Sequence, residues 1–292
     1  MRRHAHSIAL PFLAVCVIAL TGCADPVPDD YVPEVVIEGF LIAGEPISHL
    51  RIYQSQPIND TFSMSKAVIK NANVLLLENG VAIPVQYVAD TNGGMYLPSD
   101  TAFRVKYNCK YDITVQAIGK TVTAVATTPS SFSWLTPPRD TMLYPGEANE
   151  LKPVDSLGIS WTGQPGIQRY IIGVRCLDTL QYGIYLDPPT DELNRRVRES
   201  DFEEGTRIEN EPTRYGFSLS SNTPVVWLAF KWFGKQELSV YAGDEAFQEW
   251  FTLVAFGQRS QYDYTLSNVH GGLGVFAGAA RIKAPIFMVK DK

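Results

Sequence analysis

Short segments of alternating apolar and polar residues, joined by tight turns, restrict the fold of this chain more than any other feature. Residues 73–77 and 81–85 flank the dipeptide Asn79–Gly80. Asn-Gly adopts two positive φ angles at little cost, so it predicts a two-residue β-hairpin. Residues 111–117 also alternate, and the chain turns at 118–120 before it returns. Since successive side chains of a strand point to opposite faces, these patterns predict a mainly β protein.

The first predicted domain covers residues 34–128. Apolar strands at 35–41 and 47–53 open it, and the hairpins above follow, with a polar loop at 54–66 between them. Six or seven short strands with tight turns are typical of a β-sandwich, and we predict a transthyretin-like or Ig-like domain. Residues 129–153, which are rich in proline, are predicted to be a linker.

The second predicted domain covers residues 154–292 and is also a β-sandwich. A strand that ends at Trp161, a Gly-Pro turn and a strand led by Tyr170 resemble the start of a fibronectin type III domain. Burying a Trp and a Tyr removes enough apolar area from water to centre a core. The apolar run 225–233 predicts a strand buried on both faces for part of its length, and 237–241 predicts another strand.

A charged segment interrupts this second domain. Between residues 187 and 214 the sequence contains nine acidic residues and five arginines. We interpret it as a solvated insertion, in which residues 190–193 can cap a short helix. The alternative is an acidic calcium loop around Asp201, Glu203 and Glu204, but these residues lack an ordered ligand spacing.

One short helix is predicted late in the chain. It begins after the N-cap residue Asp244 and ends near Gly257. Aromatic and aliphatic residues fall at i, i+3, i+4 and i+7 along one face: Phe247, Trp250, Phe251 and Val254. We expect this stripe to face the core, the alternative being an exposed site for a partner.

The N-terminus predicts a lipoprotein signal peptide over residues 1–22. Arg2 and Arg3 precede an apolar run from 8 to 20, and the run ends in the four-residue box Leu20–Cys23. Cleavage before Cys23 would make its thiol the attachment point for diacylglycerol, whereas an ordinary secretory signal is the alternative. The apolar run is too short for a spanning helix. Each buried methylene contributes roughly 0.8 kcal/mol, so two or three acyl chains hold a protein at a membrane.

Charge and cysteine usage narrow the classes of partner and site. The mature chain from Cys23 would carry 23 basic and 31 acidic side chains, a net charge of −8 (23 − 31), which argues against nucleic acid. Cys109 and Cys176 can pair in an exported protein, and such a disulfide would join the two predicted domains; the alternative is two separately buried thiols. Only His49 and His270 follow Cys23, and no zinc spacing occurs, so we expect neither a metal nor a cofactor.

Residues 267–278 form a glycine-rich tail, Ser-Asn-Val-His-Gly-Gly-Leu-Gly-Val-Phe-Ala-Gly. Its glycines allow positive φ and close backbone approach, and Leu273 and Phe276 are predicted to fill the core before a last strand at 280–289. A phosphate loop is not predicted, because a strand and not a helix follows.

The tail, the lipobox, the Val-Val-Ile-Glu-Gly strand from Val35 and the late aromatic helix occur in the order typical of one family. The chain thereby resembles the domain of unknown function 4249 family of Bacteroidota lipoproteins. It departs from many relatives in having Phe247 and Trp250–Phe251 where they have a Tyr-Tyr pair. The resemblance implies an outer-membrane accessory encoded near TonB-dependent transporters, with no assigned activity.

Residues 23–33 form an acidic, proline-rich tether that resembles the surface-export signals of such lipoproteins. We therefore expect a lipid anchor in the outer membrane that faces the cell surface; a simple spacer at the periplasmic face is the alternative.

These features favour a non-catalytic binding or assembly lipoprotein, beside a TonB-dependent transporter, over an enzyme. A surface structural or adhesin subunit is the second hypothesis. A hydrolase of glycans or peptides is the third and least favoured, since the sequence has no Gly-x-Ser-x-Gly or His-Glu-x-x-His motif. Trp134, Trp227 and Trp232 could stack on sugars, but their apolar neighbours favour burial in the core.

Overall fold

A computed structural model describes residues 31–57, 60–91, 93–144, 154–177, 188–189, 213–230, 232–256 and 267–290. The following predicted features lie outside these ranges: the signal peptide, Cys23, most of the tether, the short helix capped by residues 190–193, the acidic residues Asp201, Glu203 and Glu204, and Gly257. Residues 1–33 and 34–292 are two separate compact units. In the first unit, residues 31–33 have no regular secondary structure.

The second unit is mainly β, as the sequence predicts. Its strands are β1 (Val35–Ile42), β2 (Leu50–Gln54), β3 (Asn73–Glu78), β4 (Val81–Ile83), β5 (Val85–Val88), β6 (Met95–Pro98), β7 (Lys110–Ala117), β8 (Lys120–Thr127), β9 (Trp134–Thr136), β10 (Thr141–Tyr144), β11 (Val154–Trp161), β12 (Tyr170–Cys176), β13 (Thr213–Ser218), β14 (Asn222–Val225), β15 (Gly234–Gly243), β16 (Val269–His270) and β17 (Leu273–Lys290). The helices are α1 (Met64–Ala67), a 3₁₀ turn (Trp227–Ala229) and the predicted late helix, α2 (Glu245–Phe256). None of the described helices combines the length and apolar character needed to cross a membrane.

Both predicted hairpins are confirmed. Asn79 and Gly80 have φ angles of 46° and 84°, as a two-residue turn with two positive φ angles requires. Ile118 and Gly119 have φ angles of 45° and 76° in the turn between β7 and β8. A β-branched residue such as Ile118 is rare in this region, which explains why the sequence signal there is weaker.

A seven-stranded sheet forms the centre of the second unit, in the order β13-β12-β15-β17-β1-β2, with β10 also paired to β17. The 18-residue strand β17 joins the two halves of this sheet. Its first part runs parallel to β1, from Leu273 opposite Val36 to Ala279 opposite Ile42. The later part is antiparallel to β15. Strands from both sides of the predicted linker therefore belong to one sheet.

Two smaller sheets cover one face of the seven-stranded sheet. The five-stranded sheet β16-β8-β7-β3-β4 packs against the β1–β2 end, around a core that includes Ile37, Ile113 and Phe276. The three-stranded sheet β14-β11-β9 packs against the other end, around a core that includes Trp161 and Tyr170, whose ring centroids are 5.3 Å apart. The two cores therefore share one layer, the seven-stranded sheet.

The predicted linker contains two short strands. β9 pairs with β11, and β10 pairs in parallel with the end of β17. These strands are three and four residues long. Proline-rich sequence around such short strands hides their alternation, so only the pairing reveals them.

The strand predicted over residues 225–233 is wrong. β14 ends at Val225, the 3₁₀ turn follows, and β15 begins at Gly234. The ring of Tyr144 lies 5.7 Å from that of Trp227 and 5.9 Å from that of Phe233. This run is apolar because its aromatic side chains surround Tyr144, and a continuous apolar run does not distinguish that arrangement from a strand.

The opposite face of the seven-stranded sheet is covered by α2. Phe247 and Phe251 of the helix pack on Ile171, Val275 and Ala277. The ring of Trp250 lies 4.7 Å from that of Phe40. The predicted core-facing stripe is thus confirmed for these aromatic residues; the side chain of Val254 is outside the description.

The glycine-rich tail forms the turn before β17 and the start of that strand. Gly271 and Gly274 have positive φ angles of 79° and 111°. Phe276 is fully buried in the core, as predicted, whereas Leu273 is only half-buried and does not fill it. Leu273 lies at the first position of β17, where the strand emerges from the turn, and this explains its partial exposure.

No disulfide joins Cys109 and Cys176; both are buried thiols. Cys109 lies in the core of the β1–β2 end, where Asn79 Nδ2 donates a hydrogen bond of 3.3 Å to its Sγ atom. Cys176 lies at the end of β12, opposite Gln236 of β15. The two cysteines are therefore separately buried thiols, which was the alternative to a disulfide between them.

Candidate functional site

Asp244 fixes the position of α2 on the sheet. Its Oδ1 atom accepts a hydrogen bond of 2.9 Å from the backbone N–H of Phe247, which confirms the predicted N-cap. Its Oδ2 atom accepts from the N–H groups of Thr127 (2.9 Å) and Gly278 (3.0 Å). Burial raises the pKa of this carboxyl group to about 6, although the three N–H donors oppose the shift. One side chain therefore connects α2, β8 and β17.

A polar recess of about 290 Å³ lies beside α2 on the same sheet face. We call it the Ser239 recess. Four adjacent strands contribute to it, and its lining residues are Gly173, Arg175, Thr213, Tyr215, Glu237, Ser239, Tyr241 and Arg281. Tyr215, Gly173 and Ser239 are neighbours across β13, β12 and β15. The register of the sheet thus brings together residues that are far apart in the sequence.

Two tyrosines form the aromatic side of the Ser239 recess. A Cβ atom on Gly173 would lie 3.0 Å from Cε1 of Tyr215 and 3.7 Å from Cε2 of Tyr241, so the glycine provides the space for these rings. Phe251 of α2 contacts both: its ring centroid is 5.0 Å from that of Tyr215 and 6.4 Å from that of Tyr241. The rings are held in place by packing, which lowers the entropy lost on binding.

Arg281 forms the charged rim of the recess near Tyr241. Its Nη2 atom donates to Glu45 Oε2 at 2.6 Å, and its Nη1 atom donates to the Tyr241 hydroxyl at 3.1 Å. The guanidinium carbon lies 5.5 Å from the centre of the Tyr241 ring. Glu45 thus neutralises Arg281 and also orients it.

Arg175 and Glu237 face each other across β12 and β15 at the other side of the recess. Within the described part of the chain, neither side chain makes a hydrogen bond or an ion pair. Ser239 lies between the two charged rims and is only 4 % exposed, yet its hydroxyl has no hydrogen-bond partner among the described residues. The hydroxyl oxygen is not among the buried unpaired polar atoms of the described side chains, so it is open to the recess and available to water or a ligand.

The opposite face of the same strands contains an apolar cavity of about 300 Å³. Ile172, Val174 and Leu238 line it from the seven-stranded sheet, and Val225 and Phe230 line it from the other side. Gly216 of β13 also lines it, and a Cβ atom at this position would meet no atom within 4 Å. The sheet therefore leaves space on both of its faces at this end.

A wider depression of about 650 Å³ borders the start of α2. Several of its polar groups hold the helix: Arg169 donates to the Thr252 hydroxyl, and Gln248 Nε2 donates to the Gly243 carbonyl at 2.9 Å. Asp244, in its wall, accepts the three backbone hydrogen bonds above, whereas the buried Nε atom of Arg169 has no partner among the described residues. In the Ser239 recess, by contrast, the side chains of Arg175, Glu237 and Ser239 make no hydrogen bond with the described residues, so we take that recess as the candidate site.

A carboxylate–histidine pair lies at the far end of the sheet. His49 Nε2 is 2.7 Å from Glu38 Oε1, and the Tyr53 hydroxyl donates to Glu38 Oε2 at 3.5 Å. Burial favours a higher pKa for Glu38, but the hydrogen bond and charge of His49, the charge of Arg51 and the hydrogen bond from Tyr53 together lower the pKa. Across the described ranges, no three His, Cys, Asp or Glu residues are placed to bind a metal ion. The pair joins β1 to β2.

The sequence contained one signal for the Ser239 recess. The alternation in the predicted strand 237–241 places Glu237, Ser239 and Tyr241 on one face. The contributions of Arg175, Tyr215 and Arg281 depend on which strands are neighbours, and the sequence does not reveal this. Of the three tryptophans predicted to lie in the core, Trp227 is buried, whereas Trp134 and Trp232 are only half-buried.

The model of the family described as Domain of unknown function (DUF4249) matches residues 24–283. The chain belongs to this family. The match confirms the resemblance to this family, and its range includes the first strand, the late helix and the tail, whereas the four-residue box at 20–23 precedes it. The match also covers strands on both sides of residues 129–153. A search of the curated proteins finds no match.

Proposed function

We propose that this protein is a non-catalytic binding lipoprotein, anchored in the outer membrane through acyl chains on Cys23, with the Ser239 recess as its ligand site. The observation that carries the proposal is the Ser239 hydroxyl, which opens into the recess without a partner among the described residues, between two tyrosines and two oppositely charged side chains. Polar side chains that converge on a recess in this way can fix the orientation of a ligand, as polar groups do in ligand sites.

The N-terminal sequence supports the anchor. The basic start, the apolar run and the Leu20–Cys23 box agree with a lipoprotein signal, and the acidic tether that follows favours display at the cell surface. The lipid would hold the recess close to proteins of the same membrane. The resemblance to Bacteroidota lipoproteins makes a TonB-dependent transporter the expected neighbour.

The anchor and the partner can be tested in one experiment. The wild-type protein and Cys23→Ser are each expressed in the native host with a C-terminal tag, and membranes are dissolved in a mild detergent. We expect the wild type in the outer-membrane fraction together with a transporter barrel, and Cys23→Ser in the soluble fraction without it. Wild-type protein recovered alone would contradict the transporter, and a membrane-bound Cys23→Ser would contradict the lipid anchor.

A further inference from the structure

The side chains that line the Ser239 recess, together with Glu45, carry two positive and two negative charges: Arg175 and Arg281 against Glu237 and Glu45. Lys283, whose Nζ lies 3.6 Å from the Glu45 carboxylate, does not line the recess. Arg175 stands opposite Glu237. A site for an anion or a cation would present an excess of one charge. This recess presents equal charges of both signs with a hydroxyl between them, which favours an uncharged polar ligand.

Arg175 and Glu237 can each bind two neighbouring hydroxyl groups. A guanidinium group offers several N–H donors in one plane, and a carboxylate offers two acceptor oxygens. The Ser239 hydroxyl can donate and accept. Together these groups suit a ligand with several adjacent hydroxyls that act as both donors and acceptors.

The tyrosines provide a matching apolar surface. Tyr215 and Tyr241 are held by Phe251, and their rings border the polar groups on one side. A pyranose ring has an apolar C–H face and a rim of hydroxyls, and aromatic side chains with a polar tip suit such amphipathic groups. The volume of about 290 Å³ is at the lower end for ligand sites, which limits the ligand to about one ring.

We propose that the Ser239 recess binds a neutral sugar ring, with hydroxyls on Ser239, Arg175 and Glu237 and a C–H face against the tyrosines. This inference rests on the proposed binding function. A small zwitterion such as an amino acid is a different class of ligand, and its binding in the recess would contradict the proposal.

The test uses the full-length lipidated protein in lauryldimethylamine N-oxide, since a detergent with a sugar headgroup would compete. Saturation-transfer NMR is recorded with the methyl glycosides of glucose, mannose, galactose and N-acetylglucosamine, and with L-serine as the zwitterion. We expect saturable transfer to at least one glycoside and none to L-serine. Ser239→Ala and Glu237→Gln should each raise the Kd about fivefold or more, since the first removes a hydroxyl that bonds the ligand and the second replaces an acceptor oxygen with an NH₂ donor.

The matched control is Ser160→Ala. Ser160 lies on β11, and its Oγ atom donates to Thr136 Oγ1 at 2.9 Å, outside the recess. It should leave the Kd unchanged. Thermal unfolding of all variants separates lost binding from lost folding, and Glu237→Gln retains the shape of the side chain.

Three results would overturn the inference: no glycoside binds, a glycoside binds equally well to both recess variants, or L-serine binds in their place. Binding of L-serine that depends on Ser239 would contradict the sugar but keep the recess as a ligand site. Recovery of a transporter by the tagged protein, with no small ligand bound, would leave the anchored accessory in place and remove the recess from its function.

Discussion

The two ends of the seven-stranded sheet are packed differently. At the β1–β2 end, glycines of β17 and of the turn before it lie against the backbone of β1, whereas at the β12–β13 end the sheet has a cavity on each of its faces. A Cβ atom on Gly274 would lie 2.0 Å from the Ile37 carbonyl oxygen, and one on Gly272 would lie 2.5 Å from that of Val35. At the other end, Gly216 borders an apolar cavity and Gly173 makes room for Tyr215.

Glycine therefore has two roles in one sheet. At the packed end it allows contact that no side chain would permit, and this contact fixes β17 against β1. At the β12–β13 end, Gly216 leaves open volume in the apolar cavity and Gly173 makes room for the Tyr215 ring. Since β17 runs through both ends, we infer that the packed end holds the β12–β13 end in register.

Gly274→Ala should have the largest effect. Gly274 has a φ of +111° and no room for a Cβ atom. We expect a loss of about 4 kcal/mol or more in the free energy of unfolding, measured by urea denaturation, or a failure to fold. Gly80→Ala is the control, because Gly80 also has a positive φ but meets nothing within 4 Å. It should cost about 1 kcal/mol, and equal losses would contradict close packing at Gly274.

Asp244→Ala should have the next largest effect. It leaves three backbone N–H groups without their acceptor, at Phe247, Thr127 and Gly278. We expect a loss of about 2–4 kcal/mol at pH 5, since an unsatisfied buried donor costs about 1–3 kcal/mol. Glu245→Ala, at the exposed neighbouring position, should cost less than about 1 kcal/mol. Similar effects of the two substitutions would show that Asp244 is an ordinary helix cap.

The pH dependence of stability should depend on Asp244. Its pKa is raised from 3.8 to about 6, so between these values the folded state holds a proton that the unfolded state has lost. This contribution to stability is complete below pH 4 and declines as the pH rises to 6, by about 3 kcal/mol. Urea denaturation from pH 4 to 7 should show the decline in the wild type relative to Asp244→Asn. Parallel curves for the two proteins would contradict it.

Gly216→Ala should have the smallest effect and the opposite sign. Its Cβ atom meets nothing within 4 Å, and the substitution restricts the unfolded chain. We expect a gain of about 0.5–1 kcal/mol. Gly173→Ala on the neighbouring strand should destabilise the protein instead, because its Cβ atom would lie 3.0 Å from the Tyr215 ring. A loss of stability in Gly216→Ala would show that the cavity is not present in solution.

Local signals predicted the strands well. The Asn79–Gly80 turn, the alternation in β7 and β8, and the N-cap at Asp244 each depend on neighbours in the sequence, and each is confirmed. The pairing of β1 with β17 joins residues more than 230 positions apart. No local pattern encodes such a pairing, which is why the sequence divided the chain at residues 129–153 while the structure has one shared sheet.

The Ser239 recess was hidden for the same reason. Alternation placed Ser239 and Tyr241 on one face of a strand, but the neighbouring strands that bring Arg175 and Tyr215 beside them follow from the sheet order. The sequence positions of Cys109 and Cys176 likewise do not predict the distance between the two thiols. In the structure both are buried free thiols, and no disulfide joins them.

The most direct test of the account is a crystal structure of the protein soaked with the methyl glycoside that binds most tightly. We predict one sugar ring in the Ser239 recess, with a hydroxyl within hydrogen-bond distance of Ser239 Oγ and a C–H face on Tyr215 or Tyr241, and no ring at the β1–β2 end. A sugar bound elsewhere, with the Ser239 recess holding only water, would contradict it.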